Sequence, residues 1–291
     1  MPGPRVLAPA SLILAATIWG LVWYPYRVLQ ELGVSGSVAS FYTYLLGIPP
    51  LLYWARASGF WTVAGQRRWL LAVALVAGWT NLSYVLAVIE GEVVRVMLLF
   101  YLAPLWTLLF SRWILDEHTD RWGIAVMALA LGGAWVMLYH PDQPLPLPAN
   151  AAEWLGLSSG MGFALTNVLT RKAAGIPIQT RSLWVFIGMV CMAGVFMAAG
   201  GETLAVRLSG GGWAWLGGIS LALLLATFTV QYGLAHVPAN RAIVLLLFEL
   251  VVAALASLAL TDETLSGQEI VGGVMILSAS LLTLKTPHAE H

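Results

Sequence analysis

Long apolar segments constrain the fold of this chain more than any other feature of its sequence. Ten of them reach the roughly 17 to 25 residues that a helix needs to cross the hydrocarbon core of a bilayer. Their approximate positions are 7–29, 36–56, 69–90, 93–113, 121–139, 153–172, 182–200, 213–236, 239–260 and 268–285. The sequence therefore predicts an all-α polytopic membrane protein with ten transmembrane helices.

The composition excludes most soluble and nucleic-acid-binding classes of protein. Apolar residues make up 59% of the chain, charged residues 10%, and the mean hydropathy is +0.83, whereas soluble domains carry about 25% charged residues. A formal net charge of zero leaves no basic surface for nucleic acid. The five histidines lack the spacing of a metal site, and Gly160-Met-Gly162 lacks the third glycine of a nucleotide-binding loop, so we expect no metal and no other cofactor. Cys191, the single cysteine, excludes an intrachain disulfide and is expected to be a small buried residue.

A proline-rich polar linker at 140–152, HPDQPLPLPANAA, divides the ten segments into two sets of five. Such a linker cannot continue a helix. It separates a first repeat, residues 1–139, from a second repeat with a short C-terminal tail, residues 153–291. Because five is an odd number, the second half must enter the membrane from the opposite side. The expected architecture is a pair of inverted five-helix repeats.

The two halves also resemble each other in sequence. The stretch Arg95–Glu117 recurs in outline 146 positions later as Arg241–Glu263, with a long apolar run between the charged ends in both. In the third and eighth segments, Tyr84 and Tyr232 each begin the tetrapeptide Tyr-x-Leu-Ala. Duplicated membrane-spanning halves are typical of transporters rather than enzymes.

Lysine and arginine residues are distributed unevenly between the two predicted faces. Eleven lie on the face that holds both termini, against three on the other face, Arg27, Arg95 and Arg207. By the positive-inside rule, both termini are expected in the cytoplasm, with the protein in the cell inner membrane.

Three short motifs give the chain a resemblance to a known family. The first span carries Trp19-Gly20, the third carries Tyr84-x-x-Ala, and the fourth contains Pro104 and closes on Asp-Glu at 116–117, and this order is repeated once. From about residue 10 to 285 the chain resembles the EamA domains of the drug/metabolite transporter superfamily. The aromatic residues of spans three, four and six are similar to those of the YddG-type exporters of aromatic amino acids. In one departure, Glu249-Leu250 stands where the first half has Ala103-Pro104.

The resemblance implies a secondary exporter that works by alternating access around a central cavity between spans 1, 3, 4, 6, 8 and 9. Its substrate would be a small metabolite, with aromatic or other large neutral amino acids as the first expectation. A proton-coupled exporter of cationic drugs is the alternative, and an intramembrane enzyme or a membrane scaffold is a remote one. The expected partners are the small-molecule substrate and the lipid bilayer, with no obligate protein partner.

Glu249 is the only acidic residue expected near the middle of a span, ten residues into the ninth. Polar groups at that depth are costly and usually face a cavity or a partner. Glu249 could bind a substrate amine or couple transport to protons, or it could be bonded to a neighbouring hydroxyl or indole for packing alone. The other acidic residues lie near helix ends, where we expect them to cap helices or to remain solvated.

Aromatic and amide side chains at mid-span form the remaining candidate site. Trp19 shares a helical face with Trp23 and Tyr26 by its spacing. Pro104 removes the hydrogen bond that its amide would give to Phe100, and the resulting bend would tilt Tyr101 toward the bundle axis. Flat rings beside amides suit an aromatic ligand with a polar head, although packing and interfacial anchoring are the alternative. The candidate substrate-binding residues are Trp19, Asn81, Tyr84, Tyr101, Phe163, Asn167, Gln231, Tyr232 and Glu249, with Pro104 as the kink and gating residue.

One motif favours an enzyme. Residues 156–160 match G-x-S-x-G, and His236 could supply a base. That motif requires a strand-to-helix elbow, whereas here it lies inside an apolar helix. Gly156, Gly160 and Ala164 are better explained as a small-residue packing face. We expect no catalytic residues and no enzymatic activity.

Overall fold

The structure, a computed structural model, describes residues 4–57, 66–116, 121–139, 147–172, 176–202, 210–236, 245–246 and 248–282. Regular structure in these ranges is helical, with twelve helices of eight residues or more. They are α1 (Pro4–Leu21), α2 (Trp23–Glu31), α3 (Gly36–Ala57), α4 (Arg67–Glu90), α5 (Val93–Phe100), α6 (Ala103–Ile114), α7 (Arg121–Leu138), α8 (Ala151–Lys172), α9 (Ile178–Ala199), α10 (Gly210–His236), α11 (Phe248–Leu260) and α12 (Gly267–Leu282).

These helices correspond to the ten predicted segments, which we number as spans 1 to 10. Helices α1 and α2 share span 1, α5 and α6 share span 4, and each other helix occupies one span. The prediction of an all-α fold is confirmed over the described residues. Six segments are both long and apolar enough to cross a membrane: Leu7–Glu31, Arg67–Glu90, Val93–Ile114, Arg121–Leu138, Ile178–Ala199 and Gly210–Val230. The apolar stretches Phe248–Leu260 and Gly267–Ala279 are shorter.

Span 4 is broken at Tyr101 and Leu102. The Tyr101 amide still donates to Met97 O at 2.8 Å, but the Leu102 amide reaches back only to Leu99 O at 3.2 Å. A regular helix would continue with a bond from residue 104 to Phe100 O, and a proline at that position has no N–H to give. The chain therefore starts a new helix, α6, at Ala103.

Span 1 contains a second break that the sequence analysis did not anticipate. Helix α1 ends at Leu21 and α2 begins at Trp23, with Val22 as a turn between them. Pro25 lies four residues after Leu21, so the Leu21 carbonyl loses its helical partner just as the Phe100 carbonyl does. Pro49 and Pro50, in contrast, lie within α3 without ending it.

Helix pairs occur in matched sets. Span 3 packs on span 6 and span 8 on span 1, while span 4 packs on span 6 and span 9 on span 1. Spans 2 and 7 pack on each other, as do spans 5 and 10. Exchanging every span with the one five places later leaves these pairs unchanged, as expected for two halves related by a two-fold axis.

Glycine allows some of these pairs to approach backbone to backbone. A Cβ added to Gly78 of α4 would lie 2.5 Å from the carbonyl oxygen of Gly188 in α9. Small residues at such crossings are typical of helices that associate in lipid, where close packing supplies much of the attraction.

Cys191 lies exposed on α9, contrary to the expectation that it is buried. Val195, one turn further along the same face, is 62% exposed. This side of α9 forms part of the outer surface of the bundle, where an apolar side chain suits lipid as well as it suits a protein core.

Candidate functional site

Glu249 lies in the first turn of α11, which begins at Phe248. Its predicted place is ten residues into a span, but residues 237–244 and 247 of that span lie outside the described residues. Residues 245 and 246, just before α11, are also helical. The Glu249 side chain is partly buried, and the Tyr101 side chain is its hydrogen-bond partner. Two predicted site residues from opposite halves of the chain are thus in contact.

Gly20 explains how α1 reaches the start of α11. A Cβ added to Gly20 would lie 2.7 Å from the carbonyl oxygen of Glu249 and 2.9 Å from Cβ of Val252. The neighbouring Trp19 is partly buried and packs against the main hydrophobic core. Within the Trp-Gly pair, glycine therefore allows the close approach of two helices, while the tryptophan packs beside it.

Phe100 joins the predicted aromatic residues into one cluster. Its ring centroid lies 5.6 Å from that of Tyr84, 5.7 Å from that of Tyr101 and 5.2 Å from that of Phe163. The first two contacts are edge-to-face, an arrangement that the ring quadrupole favours. The sequence predicted a role only for the backbone carbonyl of Phe100. The predicted bend before Pro104 could have indicated that the Phe100 side chain also lies at the site, because Phe100 directly precedes Tyr101 at that bend.

Phe163 and Asn167 lie on the open face of α8. They are four residues apart, and both are exposed, Phe163 at 42%. Since Phe163 also contacts Phe100, this face borders the aromatic cluster. An exposed amide would be costly in the hydrocarbon of a bilayer. The exposed Asn167 therefore indicates that this face of α8 borders a polar cavity rather than lipid.

The buried polar side chains near the cluster differ in how their hydrogen bonds are satisfied. Oδ1 of Asn81 accepts a bond of 2.8 Å from the Tyr44 hydroxyl, and its Nδ2 donates to Ala77 O at 2.8 Å. The Tyr84 hydroxyl is buried without a hydrogen-bond partner. Asn81 is therefore already engaged, whereas Tyr84 retains an unused donor of the kind that a bound ligand or water satisfies.

The remaining predicted residues lie apart from this cluster or outside the description. Tyr232 of α10 is 39% exposed and its ring lies 4.5 Å from that of His236, whose Nδ1 is 2.8 Å from Tyr232 O. The side chains of Gln231 and Pro104 lie outside the described part of the structure. Trp23 and Tyr26, grouped with Trp19 by spacing, are fully buried in the core.

A pair of ionic clusters, absent from the sequence analysis, lies beyond the aromatic cluster. In the first, Arg27 pairs with Glu263 at 3.0 Å and donates from Nε to Val88 O at 2.8 Å. The other carboxylate oxygen of Glu263 accepts the amide of Val93 at 2.9 Å and the hydroxyl of Ser257 at 2.5 Å. The Arg27 guanidinium also lies 5.0 Å from the ring centroid of Trp23, a cation–π arrangement that orients it.

In the second cluster, Arg95 bridges the first turns of two helices. It pairs with Glu153 of α8 at 3.0 Å and with Glu269 of α12 at 3.2 Å. Each glutamate also caps its own helix: the Glu153 carboxylate accepts from the Ala149 amide at 2.9 Å, and the Glu269 carboxylate accepts from the Ser266 amide at 2.8 Å. Ser266 and Glu269 form a capping box, because the Glu269 amide also donates to the Ser266 hydroxyl at 3.2 Å. The expectation of capping is confirmed for both acids. Their simultaneous bonds to an arginine were not predicted.

Glu92 lies between α4 and α5 at the edge of this cluster, 3.9 Å from Arg95. Burial, followed by the nearby carboxylate of Glu269, raises the pKa of Glu92 above the usual value of a glutamate. Arg95 opposes this shift, and Glu263 and Glu153 add to it. The two ionic clusters could have been anticipated from the sequence, because Arg27 and Arg95 lie on the predicted face that has only three basic residues.

The G-x-S-x-G motif lies within the continuous helix α8. The Ser158 hydroxyl donates to Leu155 O at 2.9 Å, as serines in helices commonly do. Gly156 and Gly160 face the backbone of α5 at Val96 and Phe100. This arrangement is a helix-packing surface, and it lacks the sharp turn that exposes a nucleophile.

Comparison with known proteins agrees with this architecture. The sequence profile of the EamA-like transporter family matches residues 7–139 and 150–285. An uncharacterized transporter from Archaeoglobus fulgidus is 28% identical over 222 residues, which cover 74% of this chain and 76% of the relative. A solved crystal structure shares the fold, with a TM-score of 0.61 over 95% of this chain and 96% of its own, at 16% identity. With its apolar helices, the protein is a multi-pass membrane protein, and the chain belongs to the EamA-like transporter family.

Proposed function

We propose that this protein is a secondary transporter that moves aromatic or other large neutral amino acids out of the cytoplasm. The observation that supports this most strongly is the contact between Glu249 and Tyr101 beside the rings of Tyr84, Phe100 and Phe163. A carboxylate next to flat apolar rings matches the two parts of such a substrate, an ammonium group and an aromatic side chain.

The site would hold the substrate by two kinds of contact. Its ammonium group donates charge-assisted hydrogen bonds to the Glu249 carboxylate, which are about twice as strong as neutral ones. Its ring packs edge-to-face against the cluster around Phe100, and each such ring pair contributes about 0.5–1.5 kcal/mol beyond the buried area. The buried, unpaired Tyr84 hydroxyl would add a hydrogen-bond donor beside these rings.

Transport would proceed by alternating access between two five-span repeats, residues 1–139 and 153–291, joined by the linker at 140–152. The breaks in spans 1 and 4 place irregular backbone near the site, as in other transporters that bind substrate at the bilayer midplane. We place the protein in the cell inner membrane with both termini in the cytoplasm, on the basis of the eleven-to-three bias in basic residues. The repeats would be inverted relative to each other.

Uptake into proteoliposomes tests the proposal. Purified protein is reconstituted, the vesicles are preloaded in turn with single amino acids or organic cations, and exchange against labelled substrate is followed. We expect exchange with phenylalanine, tyrosine and tryptophan, little with aspartate or lysine, and a loss of exchange in Tyr101→Ala. Tyr101→Phe is the matched variant, because it keeps the ring and removes only the hydroxyl bonded to Glu249.

An exporter of cationic drugs is the second candidate. The ion pairs of the described residues give Glu249 no lysine or arginine partner. A ligand with a cation and no carboxylate would therefore also suit the site. Exchange with hydrophobic cations, together with none for any neutral amino acid, would replace the first proposal with the second.

A further inference from the structure

The two arginine clusters connect the first half of the chain to the second at one end of the bundle. We call Arg27, Arg95, Glu153, Glu263 and Glu269 the latch. Both arginines belong to the first half and all three glutamates to the second, so the ion pairs at 3.0, 3.0 and 3.2 Å all join the halves. The latch lies at the end of the bundle opposite Pro4 and Leu282, the two described ends of the chain.

Glu263 holds the central position in the latch. Span 9 packs with span 1, and span 4 packs with span 6, so four spans around the site form two pairs. Through Arg27, Glu263 is bound to the first pair, and through the Val93 amide it is bound to the start of α5 in the second pair. It thus caps a helix from the opposite half, and the helix dipole favours a negatively charged group at that position. The two pairs cannot separate at this end while both bonds persist.

One face of α11 leads from the latch to the candidate site. Glu249, Ala253 and Ser257 follow at intervals of four residues and so lie on the same face. Ser257 donates to Glu263, and Glu249 lies about 12 Å away along the helix axis at 1.5 Å per residue. Ala253, between them, is fully buried. The two ends of the face contact Tyr101 and, through Glu263, the Val93 amide, so separation of spans 9 and 4 at the latch end would expose this face.

We propose that the latch is the gate that closes the site toward the face opposite the termini, and that it is shut in this structure. Release of Glu263 from Arg27 and from the Val93 amide opens this end. The inference concerns the regulation of the proposed transport site and rests on alternating access. A ligand can shift a protein toward the open state only through a difference in affinity between the two states, so the latch bonds set the energy that substrate or protons must overcome.

Accessibility of a cysteine at position 253 tests the gate without any substrate. Ala253→Cys is made in a Cys191→Ala background, and a membrane-impermeant thiol reagent is applied to each face in turn. We expect slow reaction from the latch face in the parent and about tenfold faster reaction in Glu263→Gln. That factor corresponds to one charge-assisted bond in a partly exposed site. Reaction from the opposite face should become slower, because opening one end closes the other.

Three further variants separate the latch from general effects of charge. Glu90→Gln removes the same charge from an exposed residue two positions before Glu92 and should leave both rates unchanged. Combined with Glu263→Gln, Arg27→Gln should add little further acceleration, because the two residues act in one pair. Glu263→Asp, which keeps the charge but shortens its reach, should give an intermediate rate and serves if Glu263→Gln fails to reach the membrane.

Unfolding temperatures are measured on the same samples. Unchanged labelling in the Glu263 variants would overturn the proposal, and so would equal acceleration from both faces, which indicates general loosening. A lower unfolding temperature without a change in labelling would assign the latch to fold stability alone. A failure of amino acid exchange leaves this test standing, since labelling requires no transport.

Discussion

At the scale of single residues, the candidate site depends on which side chains have free polar groups. Asn81 is bonded at both ends of its amide, while Tyr84 has a buried hydroxyl without a partner and Glu249 is bonded to Tyr101. Their predicted depth in the membrane would make all three residues equally good candidates for binding a substrate. Their surroundings separate a structural amide from groups that can still bind a ligand.

Glu249→Gln tests the carboxylate in the site. Glutamine preserves the shape and the hydrogen bond to Tyr101 but carries no charge and exchanges no proton. We expect normal membrane yield, weaker substrate binding and loss of most of the pH dependence of transport. Initial exchange rates in proteoliposomes between pH 5.5 and 8 provide the measurement. A wild-type pH profile in Glu249→Gln would assign the residue a structural role.

The raised pKa of Glu92 should make the closed latch sensitive to the pH at that face of the membrane. Its pKa is raised in the closed latch by burial and by the carboxylates of Glu269, Glu263 and Glu153, against the effect of Arg95. The Glu92 side chain is already 62% exposed in the closed latch, so water screens much of this effect. Opening would remove the neighbouring carboxylates and return the pKa of Glu92 to its ordinary value. Protonation of Glu92 therefore favours the closed latch fully below the ordinary glutamate pKa, and this contribution is lost as the pH rises through the raised pKa.

We accordingly expect a pH difference between the parent and Glu92→Gln in the labelling of Ala253→Cys. Lowering the pH at the latch face from 7.5 to 5.5 should slow labelling more in the parent, after correction for the thiolate fraction of a free thiol. Parallel pH profiles in the two proteins would contradict the assignment to Glu92.

At the scale of elements, breaks and close approaches place the helices around the site. Both observed breaks lie where a proline removes the amide that would bond to a carbonyl four residues earlier, at Leu21 and at Phe100. Gly20 then lets α1 contact the backbone of α11 at Glu249. The start of α11 is thus positioned by a neighbouring helix as well as by its own sequence.

Gly20→Ala should separate these two helices. The added methyl group would lie 2.7 Å from the Glu249 carbonyl oxygen, a distance that requires the backbone to shift. We expect a loss of stability of about 1–3 kcal/mol, as for other overpacked sites, together with slower transport. Gly217→Ala in α10 is the control, since its added methyl group has open space. Thermal unfolding in detergent should show a lower midpoint for the first variant only.

At the scale of the whole molecule, the helix pairs follow a two-fold pattern while the ionic contacts connect the halves at one end. Spans 1 and 9 are related to spans 6 and 4, and the latch joins these pairs through Glu263. A symmetric scaffold with an asymmetric closure is what alternating access requires, because the two access states exchange which end is closed.

The orientation of this scaffold is predicted from its basic residues. In a Cys191→Ala background, an impermeant reagent outside intact cells should label Leu147→Cys, which lies in an exposed stretch before α8. It should not label Gln66→Cys, which precedes α4 at the other end of the bundle. Labelling of Gln66→Cys alone would invert the proposed topology.

Much of the fold could be predicted from local properties of the sequence. The length of an apolar segment sets whether it can cross a bilayer, so the helix ends in the described residues were found within a few residues. The predicted start of span 9 lies outside the described residues. Proline acts on a carbonyl four residues away, which explains the predicted bend before Pro104, and the same rule applied to Pro25 would have predicted the break in span 1. The capping of α8 and α12 by Glu153 and Glu269 is also local, because it spans three or four residues.

Contacts between distant segments were decided by the tertiary structure alone. Helices in lipid are apolar both toward the bilayer and toward the core, so their periodicity does not identify the packed face. This is why the central position of Phe100 and the bond from Tyr101 to Glu249 were not predicted. The Val93 amide and the Glu263 carboxylate that accepts it are 170 residues apart. Only the packing of spans 1 and 9 against spans 4 and 6 brings that carboxylate to the start of α5, where the unpaired amides and the helix dipole favour it.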